Sequence, residues 1–181
     1  MKTALFTVLL AGFVVFSALV KHELRTEKSP LEALSIGQPM PDFTLTDRSG
    51  AKVTLSQVVK QNKIVAINFW ASWCGPCRLE MPGFEKEYAS KRAQGFALLA
   101  INEDERREAM EEYLTRAPVT FPVLFDTDGA VMKRFGVRAL PTTVIVGGDG
   151  KIRMVTEGMQ QLLGMFVDAE LRTAAEREKK K

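Results

Sequence analysis

The feature that most constrains the fold is an apolar eight-residue run that leads into two closely spaced cysteines. Residues 63–70 read KIVAINFW, and Cys74 and Cys77 follow. A run of this length, rich in β-branched and aromatic residues, is typical of a strand buried on both faces. Residues 75–92 are predicted to form a helix, and Pro76 suits its first turn because the helix leaves that N–H unpaired. The pattern therefore predicts a strand–turn–helix unit with the first cysteine just before the helix.

Strands and helices alternate along the rest of the chain. Further strands are predicted at residues 43–45, 52–53, 96–101, 121–125, 142–146 and 151–156, and further helices at 54–59, 105–116 and 130–135. A turn at residues 147–150, GGDG, predicts a hairpin between the last two strands. This order predicts an α/β fold with a central mixed sheet flanked by helices, an N-terminal β-hairpin and a central helical insertion. The charge-rich residues 103–112 are interpreted as a solvated helix face.

A last helix is predicted to carry one apolar face. Five residues recur there at helical spacing: Met159, Leu162, Leu163, Phe166 and Val167. The highly charged residues 177–181 are interpreted as a tail, so that the folded domain is assigned to residues 36–176.

The N-terminal segment predicts a membrane anchor. Residues 4–20 carry no charge, which is short for a spanning helix and long for a signal-peptide core. A weak cleavage motif ends at Ser17 and leaves removal of the segment open, but the apolar run continues beyond it. We interpret residues 1–20 as an uncleaved signal anchor and the polar residues 21–35 as a linker.

The distribution of charge gives two further expectations. Lysines and arginines on both sides of the anchor do not fix its orientation. Short N-terminal anchors usually leave the following domain translocated, so we expect this domain on the extracytoplasmic, periplasmic side of a bacterial cell membrane. The net charge of +3 is too small to argue for nucleic acid, and no basic stretch carries interleaved aromatic residues.

The two cysteines are better suited to chemistry than to stability. They are the only ones in 181 residues, and a disulfide that closes so short a loop removes little chain entropy. A helix N-terminus offers unpaired N–H groups and a partial positive charge, which favour thiolate over thiol. Thiolate is the form that attacks disulfides. We therefore interpret Cys74 as the nucleophile and Cys77, one helical turn deeper, as the thiol that releases the substrate.

Other roles for this pair were weighed. A structural zinc site normally needs four ligands, and a Cys–His hydrolase needs a base, but the single histidine, His22, lies beside the predicted anchor. We expect no metal site and no cofactor other than the redox-active disulfide between Cys74 and Cys77. An inert disulfide and a copper-handling module that uses the same thiols remain alternatives.

Several motifs together resemble those of thioredoxin-like proteins. Residues 68–77, NFWASWCGPC, resemble the thioredoxin active site, and Pro82 lies five residues further on, as in that family. The opening at residues 36–43, IGQPMPDF, and the helical segment before residue 121 are similar to the TlpA/ResA-like branch of membrane-tethered, extracytoplasmic reductases. The resemblance covers residues 36–170. Peroxiredoxins share a similar opening, but their catalytic Thr and Cys pattern is absent.

The resemblance implies a substrate-binding surface around the cysteines. Leu140 and Pro141 match the family's loop with a cis-proline, which lies against the cysteines and helps to hold a substrate backbone. Trp73, Gly75 and Pro76 are expected to contact substrate beside it. Trp70 is expected to belong to the core.

One position departs from ordinary thioredoxin. Asn68 replaces the buried aspartate beneath the cysteines and cannot exchange protons. Glu80 lies three residues after Cys77, on the same side of the helix, where partial burial would raise its pKa. An exposed Glu near the helix start is the alternative. The TlpA/ResA-like branch typically has a Glu here, which favours a role for Glu80 in moving the Cys77 proton.

The resemblance also implies a direction and partners. Gly75 and Pro76 are the dipeptide of reducing thioredoxins, so a reductant of protein disulfides is expected. Such a reductant must be recharged, which implies a membrane electron donor of the CcdA/DsbD type. Oxidised apocytochrome c is the leading substrate, within cytochrome c biogenesis, and disulfides of copper-site proteins are the next.

Overall fold

The structure is a computed structural model that describes residues 34–179. The predicted anchor at residues 1–20 and all but the last two residues of the linker at 21–35 lie outside the described residues. Among residues 34–179, no helix is both long and apolar enough to cross a membrane.

A seven-stranded mixed sheet forms the centre of the domain. Its strands are β1 (Thr44–Asp47), β2 (Lys52–Thr54), β3 (Ile64–Trp70), β4 (Phe96–Asn102), β5 (Val123–Phe125), β6 (Thr142–Gly147) and β7 (Ile152–Glu157). They lie in the order β2-β1-β5-β4-β3-β6-β7. The central strand, β3, pairs in parallel with β4 and antiparallel with β6. The predicted mixed α/β sheet with its N-terminal hairpin is confirmed.

Within residues 34–179, five α-helices surround this sheet. They are α1 (Leu55–Gln61), α2 (Gly75–Lys91), α3 (Arg107–Arg116), α4 (Ala130–Arg134) and α5 (Leu163–Lys179). The helix α3 lies between β4 and β5 in the chain and is the predicted insertion. It starts two residues later than predicted, at Arg107, and carries buried Met110 and Leu114. The interpretation of residues 103–112 as a solvated helix face is therefore only partly correct: Glu108 and Glu112 are exposed, whereas Met110 is buried and Asp104, also buried, precedes the helix.

The strand β3 explains how both layers of the core form. All seven of its residues are buried, and successive side chains of a strand point to opposite faces. Ile64, Ala66 and Trp70 join the core cluster that also contains α2 and α5 residues, whereas Val65 and Phe69 join the cluster on the other face. The same alternation places Asn68 on the α2 side of the sheet.

The apolar face predicted for the last helix is only partly correct. The helix begins at Leu163, and Leu163, Val167 and Leu171, four residues apart, are its buried contacts. Met159 and Leu162 precede the helix and are exposed. Apolar residues at helical spacing show only which side of a helix could be buried. Here packing against α2 and β3 buries the row formed by Leu163, Val167 and Leu171.

Phe166 is also exposed, although the sequence placed it on the buried face. The same helix continues through Lys179, so residues 177–179 belong to it and not to the predicted tail.

Two adjacent leucines allow a direct test of this packing. Leu163 is 2% exposed and Leu162 is 52% exposed. We expect Leu163→Ala to lower the free energy of unfolding by about 2–4 kcal/mol, because truncation leaves a cavity in the core. The matched control, Leu162→Ala, should cost less than about 0.5 kcal/mol. Urea denaturation of both variants measures the difference, and equal losses would contradict the described α5 packing.

Candidate active site

The two cysteines lie where β3 passes into α2. Cys74 is the N-cap residue of α2, and it forms a disulfide with Cys77 in the first turn. The Cys77 backbone N–H donates to Cys74 Sγ at 3.3 Å. A donor and the positive end of the helix dipole therefore both face this sulfur, which favours its thiolate form. Cys77 is fully buried and Cys74 is 5% exposed, so Cys74 is the sulfur that a second molecule can approach.

A buried carboxylate fixes the turn that carries Cys74. Asp104 Oδ2 accepts the Ser72 backbone N–H at 3.0 Å, and Asp104 Oδ1 accepts the Ser72 hydroxyl at the same distance. Asn102 Nδ2 donates to the same carboxylate at 2.8 Å. Asp104 is not among the site residues predicted from the sequence, although its position just after β4 indicates a place beside the cysteines. Parallel strands end at one edge of a sheet, so a carboxylate just after β4 is expected beside the turn that follows β3.

The predicted cis-proline is present. The Leu140–Pro141 peptide bond is cis. The next residue, Thr142, pairs with Phe69 of β3, which places Pro141 at the end of the sheet where the cysteines lie. The Pro141 carbonyl accepts the N–H of Gly158 at 2.8 Å. The contact of Leu140 and Pro141 with substrate stays a prediction.

Three of the five residues predicted to meet substrate form an exposed rim beside the buried disulfide, whereas Leu140 is half-buried and Pro141 is buried. Trp73 is 70% exposed, and Gly75 and Pro76 are exposed beside it. Gly75 and Pro76 also line an open groove of about 570 Å³ together with Leu79. Trp70, by contrast, is fully buried in the core, as predicted.

Glu80 is buried in a network of hydrogen bonds behind the cysteines. Its Oε1 accepts from Asn68 Nδ2, and its Oε2 accepts from the Gln160 backbone N–H, both at 2.9 Å. Asn68 also donates to the Thr143 hydroxyl at 3.1 Å. Burial raises the pKa of Glu80 to about 7, and the two donors offset only part of that effect. The burial and raised pKa expected from the sequence are confirmed, and the alternative of an exposed Glu is excluded.

A second carboxyl group with a raised pKa lies just after β4. The pKa of Glu103 is raised to about 8, first by burial and then by the neighbouring carboxylates Asp126 and Asp128. Asp126 accepts the backbone N–H groups of Val131 and Met132 and so caps α4.

Within residues 34–179, no three His, Cys, Asp or Glu side chains are placed to hold a metal ion.

A cis-proline beside a helix-capping cysteine pair on this sheet defines a thiol–disulfide oxidoreductase of thioredoxin-like fold. Comparison with known proteins agrees. The profile of the AhpC/TSA family matches residues 36–155. The thiol-disulfide oxidoreductase ResA of Geobacillus kaustophilus is 34% identical over 160 residues, which are 87% of this chain and 86% of that protein. ResA of Bacillus subtilis is 31% identical, over 87% of this chain and 83% of its own length.

A solved structure supports the same assignment. The crystal structure of a Chlorobium tepidum protein described as a thiol:disulfide interchange protein, DsbE, superposes with a TM-score of 0.70 at 32% identity. The match covers 78% of this chain and 98% of that one. The chain belongs to the AhpC/TSA family and is one of its ResA/TlpA-like thiol–disulfide oxidoreductases.

The raised pKa of Glu80 predicts a pH dependence of stability. Between pH 4.5 and about 7 the folded protein holds a proton on Glu80 that the unfolded chain has lost, so stability falls as the pH rises through this window. Glu80→Gln removes this titration and leaves that of Glu103 in place. From pH 4 to pH 8 we expect the free energy of unfolding of the wild type to fall by about 3 kcal/mol relative to that of Glu80→Gln. Urea denaturation at each pH measures this difference. If the stabilities of the two proteins change equally with pH, the raised pKa of Glu80 is contradicted.

Proposed function

We propose that this enzyme reduces protein disulfides through a Cys74–Cys77 dithiol. The observation that carries the proposal is the N–H of Cys77 directed at Cys74 Sγ at the start of α2. The Cys74 thiolate attacks one sulfur of the substrate disulfide, that disulfide breaks, and its other sulfur leaves as a thiolate that takes a proton. Cys77 then attacks Cys74 Sγ and releases the second substrate thiol. Two electrons pass to the substrate, and the enzyme is left with the disulfide seen here.

Glu80 acts as the base for the second half of this cycle. Cys77 must lose its proton before it can attack, and it is fully buried, where a thiol does not ionise readily. Glu80 lies three residues further along α2, and its pKa of about 7 lets it accept a proton near neutral pH. Asn68 cannot perform this step, but it holds the carboxylate through Oε1.

The family resemblance and the predicted anchor support a direction of electron flow and a location. Gly75 and Pro76 separate the cysteines as in reducing thioredoxins. With an anchor at residues 1–20, the domain works at the extracytoplasmic, periplasmic face of a bacterial cell membrane. There a reductant consumes its dithiol at each turnover, so a membrane dithiol donor of the CcdA/DsbD type must return two electrons.

The substrate supported best by the family resemblance is oxidised apocytochrome c, whose haem-attachment cysteines must be reduced during cytochrome c biogenesis. Disulfides of copper-site proteins are the alternative, and a copper-handling module would use the same thiols. Because disulfide exchange needs no metal, exchange that persists in chelator-treated protein favours the reductase over the copper module.

The cysteine roles predict different behaviour for two variants. Cys74→Ser should reduce disulfide exchange to the uncatalysed rate, because the attacking thiolate is lost. Cys77→Ala should still attack but should not resolve, so that it accumulates a mixed disulfide with its natural partner. A disulfide-exchange assay measures the first effect, and non-reducing electrophoresis followed by mass spectrometry of the trapped species measures the second. Turnover that persists in Cys74→Ser would refute the assigned nucleophile.

The trapped partner also tests the proposed substrate. Capture of apocytochrome c by Cys77→Ala, with loss of holocytochrome c in a strain that lacks the enzyme, is the expected result. Capture of copper-site proteins alone would favour the alternative.

A further inference from the structure

Gln160 is a buried polar residue in the segment that joins β7 to α5, at residues 158–162. It is 7% exposed although the residues on both sides, Met159 and Gln161, face solvent. Its backbone N–H donates to Glu80 Oε2 at 2.9 Å, across 80 residues of sequence. Any residue other than proline could supply that N–H, so the amide side chain requires its own explanation.

The Gln160 side chain ties both ends of the segment together. Its Nε2 donates to the Thr156 hydroxyl at 3.3 Å and lies 3.6 Å from Met154 Sδ, both on β7. Its Oε1 accepts the backbone N–H of Leu162 at 2.8 Å, one residue before α5 begins. A side chain with both a donor and an acceptor is required for this bridge. The segment is thereby held so that the Gln160 N–H points at Glu80.

We propose that Gln160 is a positioning residue for Glu80, and that its side chain fixes the 158–162 segment so that the backbone N–H keeps the Glu80 carboxylate bonded and ready to take the Cys77 proton. The inference rests on the proton-transfer role proposed for Glu80. An N–H donor stabilises the ionised carboxylate over the protonated acid. Release of the segment therefore makes Glu80 hold its proton to higher pH.

The surroundings of Glu80 leave few other groups that could set its titration. From the sheet, the neutral Asn68 faces it, and the joining segment presents the Gln160 N–H. Its neighbours on α2 are Cys77, three residues earlier, which ionises only after the disulfide is reduced, and Glu87, which lines the same groove of about 400 Å³ as Glu80 and Gln160. The substitutions of Gln160, Gln161 and Thr156 used below leave these ionisable groups unchanged.

The test compares two glutamines in the full-length chain. Gln160→Met keeps the side-chain length and the backbone N–H but removes all three side-chain hydrogen bonds. Gln161→Met makes the same change at the exposed neighbour and is the matched control. With ¹³C-labelled glutamate, the Glu80 carboxyl signal is titrated by NMR and identified by its absence in Glu80→Gln. We expect the midpoint to rise by about 0.5–1 pH unit in Gln160→Met and to stay unchanged in Gln161→Met.

Kinetics give a second readout that a merely structural role would not produce. The reduction of a model peptide disulfide by Gln160→Met should be about 2–5-fold slower at pH 7, where a smaller fraction of Glu80 is deprotonated, and should approach the wild-type rate at pH 9, with unchanged KM. Thr156→Val removes the hydroxyl that accepts from Gln160 Nε2. It should shift the pH dependence of the rate in the same direction as Gln160→Met, but by less. This variant keeps the test decisive if Gln160→Met fails to fold.

The outcomes separate the inference from the function on which it rests. A Glu80 midpoint that is unchanged in folded Gln160→Met and Thr156→Val, or that moves equally in Gln161→Met, overturns the positioning role. A rate profile that is the same in wild type and Glu80→Gln overturns the proton-transfer role of Glu80. In that case the NMR midpoint still decides whether Gln160 positions the carboxylate.

Discussion

The hydrogen bond from the Cys77 N–H to Cys74 Sγ is the contact on which the chemistry depends. It exists because β3 is buried on both faces and ends where α2 begins, which leaves Cys74 as the cap of the helix. The remaining parts of the site support this contact. Asp104 fixes the turn before the cysteine, and the strand that begins after Pro141 pairs with β3 at the same end of the sheet.

Glu80 shows how the fold holds a titratable carboxyl group in a buried position. Glu80 comes from α2, and its two donors come from β3 and from the segment after β7. Burial disfavours the charged form, whereas the two N–H groups favour it, and the balance places the pKa near neutral. In ordinary thioredoxin the buried carboxylate is an aspartate on β3 itself, at the position of Asn68. Here the carboxylate comes from α2, and Asn68 donates a hydrogen bond to it.

The predictable parts of the structure were those that local patterns determine. Apolar runs identified the central strands, and the two cysteines with Pro76 marked the start of α2. Helical spacing left Glu80 either partly buried or exposed, the family resemblance favoured the buried position, and its burial was confirmed. The exposed side of α5 was not predictable, because Phe166 and Val167 share one apolar stripe and only packing against α2 and β3 separates them. Gln160 gave no signal, since its contacts depend on the path of an irregular segment.

The contacts around Glu80 join distant parts of the chain. Asn68 and Thr143 are 75 residues apart, and Glu80 and Gln160 are 80 apart. A chain that emerges from its N-terminus therefore presents both thiols long before the residues that enclose the carboxylate have been synthesised. Contacts of such sequence separation form late, because loop closure must precede them. The nascent enzyme consequently carries two free thiols before the residues that hold the proposed base for Cys77 have been made.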